Sequence, residues 1–243
     1  MELAYILVLA ILFVATFIRS VFGFGEALVA VPLLALIMPV EEAAPVAALV
    51  SVFVAGVIVV QDWRDIYFRS AGWLVFSTIF GIPCGLLLLT QFPEPVVKTI
   101  LAVVIIAFCV YALSYRQHRL LTGHKWTWLF GFSAGVLGGA YGMNGPPLVL
   151  YGSLKGWSPQ YFRATLQGYF LPASLLVMGG YGWAGLWTPQ VNSYFFASLP
   201  VVILTILLGR SVNRNLNKAR FMTYIYSGLI VIGFILLITA FYG

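Results

Sequence analysis

The chain has 243 residues, 62% of them hydrophobic and 8% charged, with a mean hydropathy of +1.01. A water-soluble exterior is excluded for a composition this apolar and this poor in charge. The net charge of +6 comes from basic residues scattered through short connections between apolar runs, so it speaks to membrane orientation and not to nucleic-acid binding.

A spanning helix needs about 20 mostly apolar residues at a rise of about 1.5 Å each. In chain order the apolar runs are 3–21, a shorter 27–38, then 43–60, 71–89 and 96–115. The second half gives 126–141, a short 148–154, then 161–180, 191–208 and 221–241. The stretch 3–18 has no basic segment ahead of it and no small-residue cleavage site behind it, so it reads as mature structure and not as a signal peptide. Each half thus runs long, Gly-rich break, short, long, long, long. The expected fold class is an all-α polytopic membrane protein with two repeats, 1–115 and 126–243, around an inter-repeat loop at 116–125. Each repeat is a re-entrant or broken helical hairpin plus three long transmembrane helices. An offset of 119 positions sets Gly23 on Gly142 and superposes the short runs. Residue identity under it is close to nil, so the duplication rests on the order of elements.

Basic residues in short loops orient the chain. Arg64 and Arg69, Arg116, Arg119 and Lys125, and Arg210, Arg214, Lys218 and Arg220 mark three cytoplasmic loops. The segments 91–98 and 181–189, with little or no net charge, fall outside. These sides alternate along the chain, and corresponding loops of the two halves fall on opposite sides. The expectation is an inverted-topology repeat with both termini extracytoplasmic, a plan in which substrate is held where repeats meet near the midplane.

Backbone that leaves helical geometry at membrane depth must be satisfied by protein or by a water-filled cavity. Gly23-Phe24-Gly25-Glu26 opens one short helix, and the segment 138–147, with Gly142, Met143, Asn144, Gly145, Pro146 and Pro147, opens the other. Two helix N-termini carrying partial positive charge and meeting near the midplane form an anion site. The bland alternative is that the glycines only allow close helix packing. Arg19 beside the first break and Arg163 at the start of the next long run supply planar forks suited to an oxyanion; for each, snorkelling to the headgroups is the alternative. Glu26 is the one carboxylate well inside an apolar region; it is the candidate for a coupling proton, unless it caps its own helix or pairs with Arg19. Tyr141, Asn144, Thr165 and Gln167 add neutral hydrogen-bonding groups, and Gly23 and Gly25 complete the candidate set.

Elsewhere the signals are weak. Cys84 and Cys109 sit in apolar runs without metal or disulfide spacing. His118 and His124 stand in a basic connection without other ligands, so neither a metal nor any cofactor is expected. Trp63, Trp73, Trp126, Trp128, Trp183 and Trp187 near the run ends form an interfacial belt. No Ser-His, Asp-Asp or His-x-x-x-His arrangement suggests an enzyme, and no Walker motif suggests nucleotide-driven transport.

Phe22-Gly23-Phe24-Gly25, the segment 138–147 and Arg163-Ala164-Thr165 resemble the sulfite exporter TauE/SafE family of bacterial membrane transporters. The resemblance spans nearly the whole chain, although Glu26, Ala27 and Pro146 stand where the family often has glycines. It implies a secondary transporter that exports sulfite, sulfoacetate or another organosulfonate across the cytoplasmic membrane by alternating access. The expected partners are the lipid bilayer and a small anion, with a coupling proton and a homodimer as further options, and no nucleic acid. The competing readings are a proton-coupled cation or metal transporter using Glu26, and a non-transporting membrane subunit.

Overall fold

The computed structural model describes residues 2–62, 68–114, 125–212 and 218–242. Trp63, Arg64, Arg116, His118, Arg119, His124 and Arg214 lie outside the described residues, as do the side chains of Arg69, Arg163, Arg210, Lys218 and Arg220. Among the described residues there are ten helices and no strand: α1 (Glu2–Phe22), α2 (Glu26–Leu34), α3 (Val40–Asp62), α4 (Phe68–Gln91), α5 (Glu94–Ser114), α6 (Lys125–Tyr141), α7 (Gly145–Leu154), α8 (Pro159–Trp183), α9 (Pro189–Val212) and α10 (Lys218–Tyr242). Six of them, α1, α3, α4, α5, α9 and α10, are long and apolar enough to cross a bilayer. The protein is a multi-pass membrane protein.

Sequence chemistry sets the helix starts. Pro159 and Pro189 occupy first turns, where a missing N–H costs nothing. Ser158 and Thr188 just before them accept from the N–H of Tyr161 (3.3 Å) and Val191 (3.2 Å). Pro146 and Pro147 likewise lie in the first turn of α7, which therefore begins three residues ahead of the apolar run at 148–154. At the other short helix, the 27–38 run is α2 followed by a tight turn in which Ile37 and Met38 both donate to the Leu34 carbonyl (2.9 Å each).

The most extensive helix contact joins α4 to α6. A Cβ on Gly81 or Gly85 would overlap the backbone of α6, and one on Gly135 or Gly139 the backbone of α4. Spacing by four places these glycines on one face of each helix, letting the backbones touch as small residues do in membrane interiors. Gly135→Leu forces that contact apart. Overpacking of this kind costs about 1–3 kcal/mol or more, and the expected result is a clear fall in Tm of the detergent-purified protein. An unchanged Tm would mean that the two helices do not pack this way in the membrane.

Contacting residues give helix directions. Gly131, Gly135 and Gly139 face Leu74, Thr78 and Ile82 in turn, so α4 and α6 run parallel. Tyr5 meets Ser193 (2.7 Å between hydroxyls) and Ser20 meets Gly209, so α1 and α9 also run parallel. By contrast α5 and α10 cross antiparallel, with Ala102 and Ile106 against Gly233 and Phe108 against Tyr226.

Two helices turn back on their predecessors. Thr127 near the start of α6 shares a hydrogen bond of 2.7 Å with Tyr151 near the end of α7, so α7 returns alongside α6. Thr16 and Arg19 on the last turns of α1 both reach Glu26, which folds α2 back along α1. With 9 and 10 residues, α2 and α7 reach about halfway through a hydrocarbon core of roughly 30 Å. Both pairs are helical hairpins with one short arm. The small, fully buried face of α3, with Ala43, Ala44, Ala47 and Val50, lies at the centre of the core and lets both hairpins approach.

Candidate functional site

The two glycine breaks meet. A single cavity, with about 440 Å³ of empty space counting its mouth, is lined from the first break by Phe24, Gly25 and Glu26 and from the second by Gly142, Met143, Asn144 and Gly145. Ser51 and Phe170 on its wall stand near the middle of α3 and α8, so it sits at mid-depth in the bundle.

Glycine is required at the breaks for conformational reasons. Gly23 (φ 85°), Gly25 (φ 96°) and Gly142 (φ 64°) all adopt left-handed backbone, which side chains with a Cβ disfavour. Gly142 also presses on the Ala44 carbonyl, 3.2 Å from where a Cβ would lie. The glycines just before it do other work. Gly139 serves the contact with α4, and Gly138 makes room for the Asn144 side-chain oxygen.

Arg19 and Glu26 dominate the electrostatics. Both are buried, and Arg19 Nη1 donates to Glu26 Oε2 at 2.6 Å. Ser51 Oγ donates to the same oxygen and Thr16 Oγ1 to Glu26 Oε1, each at 3.0 Å. Arg19 is not saturated in return: its Nε and Nη2, buried beside the cavity, have no hydrogen-bond partner. These two N–H groups form the side-on edge of the guanidinium, the edge that grips an oxyanion through two parallel bonds. The Phe170 ring lies 5.3 Å below the guanidinium carbon and supports the charge from its face.

The two helix N-termini are unequal as donors. The first turn of α2 offers the free N–H groups of Glu26, Ala27 and Leu28, all three residues lining the cavity. In α7 Pro146 and Pro147 remove two of the corresponding donors, leaving the N–H of Gly145 at the cavity.

Of the residues singled out from sequence, Arg19, Gly25, Glu26, Gly142, Met143, Asn144, Gly145 and Pro146 line the cavity. Gly23 shapes the break without lining it. Tyr141 is fully buried and donates its hydroxyl to the Val97 carbonyl (2.9 Å), away from the cavity wall. Thr165 and Gln167 are buried on α8 with unpartnered side-chain oxygens and do not line the cavity. The backbone of Arg163 lies in the first turns of α8. Sequence reasoning missed Thr16, Ser51, Phe170 and Ser174. A signal existed for Ser51, the one polar side chain in the run 43–60.

The sulfite exporter TauE/SafE family model matches residues 7–236. The chain belongs to this family. A TauE/SafE relative from Cupriavidus necator strain H16, described as a probable sulfite/organosulfonate exporter TauE, is 25% identical over 243 residues, covering 95% of this chain and 93% of its own. No solved structure matches significantly. Membership of a family of exporters agrees with a multi-pass bundle whose polar groups converge on an interior cavity.

Proposed function

We propose that this protein is a secondary transporter that exports a small oxyanion, sulfite or an organosulfonate, through the cavity between the two breaks. The observation that carries the reading is the Nε/Nη2 edge of Arg19, buried without a hydrogen-bond partner in a residue that lines the cavity together with the first turn of α2. Buried donors without partners are costly. An anion with two oxygens to offer satisfies both, and the helix N-terminus adds favourable field. The name given to the Cupriavidus relative supplies the substrate class.

Alternating access fits an inverted repeat with boundaries at 1–115 and 126–243 and both termini outside. Exchanging the halves turns the parallel pair α4 and α6 into the parallel pair α9 and α1, and maps the antiparallel α5 and α10 onto each other. Gly23, Gly25, Gly142 and Pro146 set the backbone of the site in this reading and Arg19, Asn144 and Gly145 contact the anion, while Arg163, and Thr165 and Gln167 outside the cavity, are further candidates for substrate contact. A cation or metal carrier built on Glu26 is disfavoured, because its carboxylate is already neutralised by Arg19 at 2.6 Å.

The test is flux into proteoliposomes with sulfite, sulfate, thiosulfate, sulfoacetate, taurine and divalent cations. Flux is expected for the sulfur oxyanions and not for the cations, and Asn144→Ala or Arg163→Ala should lower it at least tenfold in protein that still folds. Cation flux alone would overturn the reading.

A further inference from the structure

The hydrogen-bond partners of Glu26 carry a consequence for the charge of the cargo. Two of the three are hydroxyls, Thr16 Oγ1 and Ser51 Oγ, and a hydroxyl can accept as readily as it donates. If Glu26 gains a proton on Oε1, that O–H can donate to Thr16, while Oε2 continues to accept from Arg19 and Ser51. Neither protonation state leaves a carboxyl oxygen of Glu26 without a partner. A purely structural pair made with N–H donors would lack this freedom.

Charge balance adds the second half. With Glu26 ionised, the pair is neutral, and what remains for the cargo is the field of the α2 N-terminus, about half an elementary charge. With Glu26 protonated, the full charge of Arg19 is added. Among the described residues Arg19 is the one charged group in contact with Glu26. The cavity wall contributes Ser51 from α3, Phe108 from α5, Asn144 from the second break, and Phe170 and Ser174 from α8. From α10, Tyr226 packs on Phe108 without lining the cavity. No other described side chain is placed to offset a second negative charge.

We propose that Glu26 sets the charge the site accepts: a monoanion binds beside the intact Arg19–Glu26 pair, whereas a dianion binds together with one proton taken up on Glu26. This deepens the oxyanion reading and rests on it. The proton comes from water and resides on the carboxyl, so the loaded site gains one negative charge in either case.

The experiment measures proton uptake by the purified full-length protein in weakly buffered detergent solution with a pH indicator. The probes are methanesulfonate, a monoanion at every pH used, and thiosulfate, a dianion. Expected are no uptake with methanesulfonate and one proton per bound thiosulfate, with thiosulfate affinity therefore falling as pH rises while methanesulfonate affinity does not. Glu26→Gln should bind thiosulfate without proton uptake, but the wild-type proton count decides the matter even if that variant fails to fold. Thiosulfate binding with no proton taken up would overturn the charge rule and leave the oxyanion reading standing. Binding of neither probe at any pH would overturn both.

Discussion

Arg19→Lys should weaken oxyanion binding by about 10- to 100-fold while leaving a folded protein, since replacing the two-bond grip by a single ammonium donor loses one charge-assisted hydrogen bond of about 1.5–3 kcal/mol. Lysine keeps the positive charge and can still reach Glu26, so no buried carboxylate is stranded. What it lacks is the pair of parallel N–H groups at Nε and Nη2, which have no partner within the protein. The comparison therefore separates charge from geometry. Ligand-induced thermal stabilisation with sulfite and methanesulfonate is the measurement, and wild-type affinity in the lysine variant would remove Arg19 from the site.

The second large effect is expected at the other end of the pair. Glu26→Ala strands a buried guanidinium, and breaking a buried ion pair from one side costs about 3–5 kcal/mol. The variant should therefore melt far below the wild type in anion-free buffer. Added oxyanion should recover much of the loss, because it fills the position of the missing carboxylate. The anion-induced rise in Tm is thus expected to be larger in Glu26→Ala than in the wild type, and an equal or smaller rise would show that Arg19 is not open to ligand.

The helical order was readable because each element carries its own chemistry. Apolar runs near 20 residues long match α1, α3, α4, α5 and α8 to α10 to within a few residues, and at α8 and α9 a serine or threonine cap followed by proline marks the start. The breaks were readable because Gly23, Gly25 and Gly142 occupy backbone that other residues avoid. Which residues share the cavity was only partly readable. Proximity to a break along the chain brought in Tyr141, yet its side chain leaves the helix toward Val97. Thr16 and Ser51 are 10 and 25 positions from Glu26 and reach it only because α1, α2 and α3 pack together. In the motif 138–147 a run of glycines merges two purposes, close packing at Gly139 and a left-handed turn at Gly142. Composition cannot separate them without knowing that α4 lies against one face.

The parallel pairings also govern how such a chain can be made. The principal neighbour of α4 is α6, and that of α1 is α9, so each half owns a long helix whose partner belongs to the other half. Neither half is a self-sufficient folding unit. During synthesis seven helices, α2 to α8, follow α1 before α9 arrives to cover its flank. Throughout that interval the Arg19–Glu26 pair, closed locally within the first hairpin, is what keeps a charged helix end tolerable inside lipid.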